Sequence, residues 1–291
     1  GYFMVELPVT DRLKFVGGAR LERAVIDIVS FDTTTTIQNG EEVRIGEGTL
    51  DNTDLLPSLN LIYGLGDNSN VRLAYTRTIA RPNQREIAPF ASFEFIGDFQ
   101  KLGNVNLERT LITNYDARWE LFPRPGEVIA LSVFYKHLES PIELGFAPTA
   151  IPTNAILQYQ NVDEAEITGL EFEIRKNLDF ISESLQKFSI GGNLSLINSS
   201  ISIPPEEIAQ RPDTTDTKRV LQGQSPYIIN VNFGYDDLDT GLSAGFYFNV
   251  FGERLSNVGF GLTPDVFEKP RPQLDFVGSK DFNQLSVSLK V

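Results

Sequence analysis

Leu111-Ile-Thr-Asn-Tyr-Asp-Ala-Arg-Trp-Glu-Leu121 is the stretch of the chain that decides the fold. Every second position from Leu111 onward holds Leu, Thr, Tyr, Ala or Trp, whereas Asp116, Arg118 and Glu120 stand between them. Side chains of a β-strand point alternately to its two faces. The period of two therefore predicts a strand with one apolar, partly aromatic face and one charged face.

The same alternation recurs from end to end, while helical periodicity is nearly missing. About twelve such segments occur, near residues 2–9, 13–30, 54–64, 70–80, 107–121, 127–138, 156–176, 187–200, 225–236, 241–252, 271–281 and 284–291. The sequence therefore predicts an all-β fold of consecutive antiparallel strands.

The connections between these segments fall into two alternating classes. Short turns rich in Gly, Pro, Asn and Asp alternate with long connections near 31–53, 81–106, 139–155, 201–224 and 253–270. A chain that runs up and down through a bilayer has short turns on one side and long loops on the other. This pattern predicts an up-and-down transmembrane β-barrel.

Alternation alone does not separate a membrane barrel from a soluble one, but three further features favour the membrane. Many segments reach the ~9–11 residues that a tilted spanning strand needs. Aromatic residues cluster where strands are expected to end, as interfacial girdles do, at Tyr115, Trp119, Tyr135, Tyr159, Tyr227 and Tyr235. Full charges on the polar faces suit a wet interior, so we expect apolar side chains to contact lipid and charged ones to line the lumen.

Composition excludes several classes of protein. With 25 basic and 39 acidic residues in 291, the net charge is −14, which argues against nucleic acid as a partner. Cysteine is absent, and His137 is the only histidine, so thiolate sites, histidine metal clusters and a conventional catalytic triad are excluded. We expect no enzymatic activity, no cofactor and no metal site.

Two carboxylate patterns have an alternative interpretation. Glu171 and Glu173 are two residues apart on one strand face, a spacing that overlaps that of glycosidase carboxylates. Arg175 on the same face favours a row of lumen charges instead. Asp237-x-Asp239-x-Gly241 opens like a calcium loop but lacks the distal Glu, so a tight turn is favoured.

A series of short stretches extends over some 200 residues, from Leu73-Ala-Tyr-Thr-Arg-Thr-Ile-Ala-Arg-Pro82 to Pro270-Arg-Pro-Gln-Leu-Asp275. Between them stand residues 85–90, 103–107, 114–120, 134–136, 141–143, 169–173, 221–227 and 249–254. In this order they resemble the TonB-dependent outer-membrane receptors, particularly the Bacteroidetes-type members. Residues 1–70 match only in pattern.

The resemblance implies a barrel of roughly 22 strands with a plugged lumen. Residues 1–291 are then expected to be the C-terminal portion of this single domain, about 12 strands, with the plug and the final strand absent. It also implies the bacterial outer membrane as the location and outer-membrane lipid as a partner. The TonB complex, acting through the plug, and a surface lipoprotein are further candidate partners.

The function expected from the resemblance is ligand-gated, TonB-energised import of a scarce nutrient: a siderophore, cobalamin, a glycan or a peptide. One alternative is a passive porin or other outer-membrane barrel. The other is a secreted soluble β-protein that binds glycans. The sequence does not choose the ligand.

Two groups of residues are candidates for the functional site. The loop at 81–106 combines aromatic and basic side chains that suit ligand capture at a barrel mouth, namely Arg81, Arg85, Phe90, Phe93, Phe95 and Phe99. Packing of these phenylalanines on the loop or the barrel wall is the alternative. The residues expected to face the lumen are Asp116, Arg118, Glu120, Glu171, Glu173 and Arg175.

Overall fold

The computed structural model describes residues 1–38, 41–93, 95, 99–147, 156–203, 208, 217–259, 264–282 and 285–291, with the backbone alone for 30–38 and 41–46. The strands are, in chain order, β1 (Tyr2–Pro8), β2 (Leu13–Gln38), β3 (Glu41–Gly66), β4 (Ser69–Ala80), β5 (Ala91–Ser92), β6 (Gln100–Leu102), β7 (Thr110–Leu121), β8 (Val128–Glu139), β9 (Ile142–Phe146), β10 (Ile156–Asn161), β11 (Glu164–Asn177), β12 (Phe188–Ser202), β13 (Lys218–Arg219), β14 (Tyr227–Asp237), β15 (Leu242–Phe251), β16 (Arg254–Asn257), β17 (Val266–Glu268), β18 (Gln273–Phe282) and β19 (Leu285–Lys290).

One antiparallel sheet contains most of the chain. Its strand order is β1-β2-β3-β4-β7-β8-β11-β12-β14-β15-β18-β19, with β13 paired to the end of β12. The path follows the order of the chain, so each strand pairs with the strand of this sheet that comes before it in the sequence. The sheet is a partial barrel of the up-and-down type, which confirms the predicted fold class. The strands on the path correspond in order to the predicted segments.

The first long loop was predicted wrongly. β2 and β3 are each 26 residues long and pair as far as Gln38 and Glu41. The segment predicted as a loop at 31–53 is therefore mostly a two-stranded ribbon; residues 39 and 40 lie outside the described part. Backbone pairing continues here because the next strand supplies partners even after the apolar alternation fades.

The predicted strand at 156–176 is two strands in different sheets. β10 ends at Asn161 and pairs with β9 and β6, whereas β11 begins at Glu164 and joins the large sheet. The Asn161 amide explains the break, since it donates to the carbonyl oxygens of Glu108 (3.1 Å) and Ser140 (2.8 Å). These contacts come from distant parts of the chain and leave no local mark in the sequence.

The long connections fold together at one end of the sheet. β5, β6, β10 and β9 form a four-stranded sheet in that order, and β16 pairs with β17. A bridge between Gly145 and Val258 joins the two groups. We call β5, β6, β9, β10, β13, β16 and β17 the loop assembly. It forms one packed structure, so these loops are not independent of one another.

The two faces of the large sheet differ as predicted. On the outer face, Tyr115 is the direct partner of Tyr75 and Tyr135, with ring centroids 5.2 and 6.2 Å apart. Large apolar side chains on this face, such as Leu73 and Val133, are each 49% exposed. The inner face carries the polar side chains and is the more enclosed, since Glu120 is only 7% exposed.

The aromatic girdle is placed as predicted only in part. Trp119, Tyr227 and Tyr235 lie within two residues of a strand end, but the other three predicted residues do not. Tyr115 and Tyr135 lie in the middle of β7 and β8, and Tyr159 lies in β10, within the loop assembly. Toward the loop end of the sheet the outer face becomes polar, with Arg77 3.6 Å from Glu139. The tyrosine row therefore marks the upper border of the apolar band, and the strands continue beyond it.

Helical structure is sparse in the described residues. α1 (Gln84–Ile87) has an Asn83 cap that accepts from the backbone N–H groups of Arg85 and Glu86. Two 3₁₀ turns, Leu178–Phe180 and Glu183–Leu185, lie between β11 and β12. Within the described chain no helix has both the length and the apolar content to cross a membrane.

Candidate functional site

A row of alternating charges crosses the inner face of β4, β7 and β11. Arg72 Nε donates to Glu120 Oε2 at 2.7 Å, and Arg118 Nε donates to Glu120 Oε1 at 2.9 Å. Arg118 Nη2 donates to Glu173 Oε2 at 2.6 Å, and Arg175 lies 3.5 Å from the other Glu173 oxygen. We call these five residues the charge ladder. Each carboxylate lies between two guanidinium groups, and with three arginines and two glutamates the ladder carries a net charge of +1.

Strand register explains why these side chains meet. Arg72 and Arg118 are direct cross-strand partners, while Glu120 and Glu173 both pair with Ala130 of β8. The small Ala130 side chain leaves room for arginine and glutamate to reach across it. A buried carboxylate without partners would be costly, and the two arginines beside Glu120 offset that cost.

All six residues predicted to face the lumen share one face of the sheet, the face opposite the tyrosine row. Arg118, Glu120, Glu173 and Arg175 belong to the charge ladder. Glu171 instead accepts from Ser195 Oγ at 3.4 Å, and exposed Asp116 pairs through the backbone with Ala74 and Phe134. Because Glu173 is held by two arginines, the two-carboxylate arrangement that suggested glycosidase chemistry is replaced by ion pairs.

Beyond β11 the inner face changes from charges to amides. Asn249 Nδ2 donates to Asn230 Oδ1 at 2.5 Å, and Asn230 Nδ2 donates to Asn193 Oδ1 at 2.7 Å. These residues face one another directly across β12, β14 and β15. The inner wall therefore has a charged half, which holds the ion pairs, and an amide half, which holds these bonded asparagines together with the inward Asp236 and Asp275.

The four predicted loop phenylalanines remain largely exposed. The exposed fractions are 54% for Phe90, 58% for Phe93, 64% for Phe95 and 43% for Phe99. Phe99 alone of these makes a ring contact within the described residues, edge-on to Phe146 of β9 at 5.1 Å. Exposed aromatic side chains on a packed scaffold are suited to contact a ligand.

The two predicted loop arginines serve the structure of the loop. Arg81 contacts Glu22 (2.6 Å) and Asp54 (3.5 Å), which ties the loop to β2 and β3. Arg109 contacts the same buried Asp54 at 2.5 Å. Arg85 donates from Nε and Nη2 to Ser92 Oγ, both at 3.3 Å. Their guanidinium groups therefore already have partners; Glu94 and Asp98 of this loop lie outside the described residues.

A buried ion pair holds the loop assembly together. Glu143 is 1% exposed and accepts from both terminal nitrogens of Arg219, at 3.0 and 2.5 Å. Gln222 donates its backbone N–H to Glu143 at 3.0 Å, and its side chain bonds both backbone groups of Leu144. We call Glu143, Arg219 and Gln222 the loop anchor.

At the opposite end of the sheet, where short turns connect the strands, Glu127 is the corresponding buried carboxylate. Arg124 Nη2 donates to it at 2.6 Å and Lys176 Nζ at 2.9 Å, while the Asn177 N–H donates at 3.2 Å. The hydrogen bond from Arg124 lowers the pKa of Glu127 to about 2, with smaller contributions from Lys176 and Asn177. Arg124 also pairs with Asp179, so one arginine links two turns.

The calcium-like turn is occupied by protein groups. Lys187 Nζ contacts Asp237 Oδ1 at 2.6 Å, and the same oxygen accepts from the N–H of Asp239 at 3.2 Å. Gly241 has a φ of +64°, which a glycine adopts easily. Among the described residues there is no group of three or more histidine, aspartate or glutamate side chains placed to hold a metal ion.

Several of these residues were not singled out from the sequence. Glu143 and Gln222 stand in two of the short stretches that carry the family resemblance, which was the only available signal for the loop anchor. Arg72 and Asn230 were seen only as polar positions in alternating strands, whereas Asn249 begins another of the short stretches. Their contacts join residues 19 to 79 positions apart, and only the strand order brings them together.

Comparison with known proteins agrees with the β-barrel fold of the structure. Residues 1–289 match the family model described as TonB dependent receptor-like, beta-barrel. A search among curated proteins returns no match.

Solved structures of similar fold include two receptors and one transporter. The ferric-catecholate import receptor Fiu from E. coli K12, in its closed form, has a TM-score of 0.65 and 13% identity, over 99% of this chain and 39% of that chain. For the copper transporter OprC the values are 0.64 and 14%, over 96% and 38%. For the siderophore receptor PirA from Acinetobacter baumannii they are 0.58 and 16%, over 97% and 39%. This chain thus spans less than half of each, and identities this low establish the fold alone.

Proposed function

The chain belongs to the TonB-dependent receptor β-barrel family, and from this premise we propose that it forms part of a ligand-gated importer of a scarce nutrient. The barrel lies in the bacterial outer membrane, as this family does. Its apolar outer face contacts lipid and its polar inner face lines a wet interior. In this proposal no residue has a catalytic role.

The observation that carries the proposal is the folded loop assembly with exposed phenylalanines. Loops that only closed a passive channel would not need a buried ion pair such as Glu143–Arg219 to fix them. A fixed scaffold reduces the conformational entropy lost when a ligand binds. The phenylalanines at 90, 93, 95 and 99 then provide an aromatic surface for capture.

Energy input is the second part of the proposal. The inner wall offers a ligand hydrogen bonds and charged groups but no energy source. Transport against a concentration gradient therefore needs coupling to the inner membrane through TonB and a plug. The neighbours named as siderophore and copper proteins support metal-nutrient uptake as one substrate class. A surface lipoprotein remains a candidate partner in capture.

Uptake in living cells tests this function. A strain that expresses the full-length receptor should accumulate its nutrient, and deletion of tonB or collapse of the proton gradient should abolish accumulation. The substitution of Phe93 and Phe95 by Ser should weaken capture, whereas the same change at lipid-facing Phe276 should not affect the loop surface. Uptake that persists without TonB would point to a passive porin and contradict the proposal.

A further inference from the structure

The turn between β11 and β12 presents exposed apolar side chains at the turn end of the sheet. It spans residues 178–187 and contains both 3₁₀ turns. Phe180 is 62% exposed and Ile181 is 63% exposed, while Leu178 and Leu185 are partly buried. Large apolar side chains that protrude together from a folded turn indicate a contact surface.

Phe180 lies on the outer side of the sheet. Phe172 of β11 pairs with outward-pointing Leu131, and Lys176 is four positions further along the same strand, hence on the same face. The Lys176 Nζ lies 5.0 Å from the centroid of the Phe180 ring. Because β11 and β12 have sheet neighbours on both sides, β8 and β14, the outer surface at this turn is complete. A plug inside the barrel would lie on the opposite face of the sheet.

The lipid-facing band of the sheet continues to this turn. Phe188 is the first residue of β12 and lies on the same face as Leu194, the partner of outward Phe172. Its ring stacks on Phe233 with centroids 5.6 Å apart and lies 4.9 Å from the ring of Tyr235. The apolar outer face is therefore unbroken from the strands to residue 188, where the turn joins β12.

The polar groups of the turn have partners within the protein. Asp179 stands between two apolar residues, and its Oδ1 accepts from Arg124 Nη2 at 2.6 Å. The N–H of Ile181 donates to the carbonyl oxygen of Leu178 at 3.0 Å. An unpaired carboxylate or backbone N–H would resist entry into lipid. With these groups satisfied, the apolar side chains can enter lipid at low desolvation cost.

We propose that the β11–β12 turn is a membrane anchor, in which Phe180 and Ile181 insert into the periplasmic leaflet where acyl chains meet headgroups. Short turns of such barrels lie on the periplasmic side. The occupant is lipid because the turn continues the lipid-facing band. Lys176 keeps its stem along this apolar surface and its ammonium group at the polar border, on Glu127 at 2.9 Å. This anchor goes beyond import and is independent of the nutrient carried.

Tryptophan fluorescence of the full-length receptor in liposomes tests the proposal. Phe180→Trp and Ile181→Trp are compared with wild type, whose signal accounts for Trp119 and any other tryptophan. The liposomes are phosphatidylcholine with or without bromine on the acyl chains. We expect brominated lipid to lower the added fluorescence at both positions at least about twofold, because the apolar face of an interfacial segment lies at the headgroup and acyl boundary. Iodide in the water should quench it poorly.

Leu238 provides a matched control on another turn at the same end of the sheet. It is 88% exposed and lies between Asp237 and Asp239. The Asp239 side chain is 92% exposed, and its solvated carboxylate disfavours entry into lipid. A tryptophan in Leu238→Trp should therefore be quenched by iodide and not by brominated lipid. Heat-modifiable migration on gels confirms that each variant barrel is folded.

Three outcomes would overturn the anchor. Added fluorescence at positions 180 and 181 that iodide quenches and brominated lipid does not would place the turn in water. Protection from both quenchers would show that protein covers it. Equal quenching by brominated lipid at positions 180 and 238 would show that lipid contact does not depend on the apolar surface of this turn. None of these results bears on TonB-dependent uptake, which is measured separately.

Discussion

Glu120 is the residue on which the charged half of the inner wall depends. It is 7% exposed and accepts from two arginines, which come from β4 and from its own strand. Replacement by alanine would leave Arg72 and Arg118 without this carboxylate. A charged group that loses its partner is destabilised more than an exposed ion pair is worth.

We predict that Glu120→Ala lowers the free energy of unfolding of the full-length barrel by about 1–3 kcal/mol. Guanidinium-induced unfolding in detergent micelles measures this. Asp116→Ala is the matched control, because Asp116 lies on the same strand and face but is exposed. Equal effects of the two substitutions would contradict the role assigned to the charge ladder.

Glu127 provides a prediction about pH at the turn side. Its pKa is lowered to about 2 in the folded protein, whereas an unperturbed glutamate has a pKa of about 4.3. A lowered pKa means that the carboxylate stabilises the fold above pH ~4.3. This contribution is lost as the pH falls from there toward 2.

The substitution Glu127→Gln should therefore destabilise the turn at pH 7, and its effect should shrink between pH 4.3 and pH 2. Unfolding midpoints of wild type and variant at pH 7 and pH 3 give the comparison. Glu183→Gln, in an exposed turn nearby, should have little effect at either pH. A difference between Glu127→Gln and wild type that grows in acid would show that the sign is wrong.

At the scale of elements, the loop anchor is the critical contact. Glu143 belongs to β9, Arg219 to β13, and Gln222 reaches the carbonyl of Ser256 in β16 at 2.5 Å. Three connections that are distant in sequence therefore depend on one buried carboxylate. Of the strands in the large sheet, only the short β13 at the end of β12 takes part in this contact.

We predict that Glu143→Ala increases hydrogen exchange at least tenfold at the N–H groups of Leu144, Gln222 and Gly223, while exchange in β7 and β8 stays unchanged. Loss of one partner of a buried ion pair costs about 3–5 kcal/mol, which permits local opening. Arg254→Gln breaks an exposed pair with Glu268 and serves as control. Faster exchange throughout the barrel would contradict a role confined to the loops.

The strands of the large sheet were predictable from the sequence, but their full lengths were not. Alternation located the strands of the large sheet because one face of each strand contacts a different solvent from the other. The signal fades in the outer parts of β2 and β3, where both faces are polar at pairs such as Arg23–Asp51, so their full length was missed. The alternation also continues past Asn161, although the contacts of this residue to Glu108 and Ser140 end the strand there.

The candidate site was predictable by face but not by partner. Parity along β7 and β11 placed Arg118 and Glu173 on the inner face, yet their 2.6 Å contact depends on β8 lying between them. Similarly, loop arginines suggested ligand contacts, whereas Arg81 is held by Glu22. A single sequence gives the position of a charge along a strand, and only the strand order gives its neighbour.

For the whole molecule, the central claim is that the sheet has a lipid-facing apolar side and a wet polar side. β8 tests this well because its neighbours on both sides belong to the same sheet. Leu131 and Val133 point outward, with exposed fractions of 43% and 49%. Ala130 and Ser132 point inward beside the charge ladder.

The most direct measurement is spin-label accessibility along β8 in the full-length receptor reconstituted into liposomes. This chain contains no cysteine, so single cysteines at positions 130, 131, 132 and 133 can each carry a nitroxide. We predict that oxygen, which concentrates in lipid, relaxes the labels at 131 and 133 most, and that a water-soluble nickel complex relaxes those at 130 and 132. The opposite phase, or labels that oxygen relaxes no more at 131 and 133 than at 130 and 132, would contradict the account.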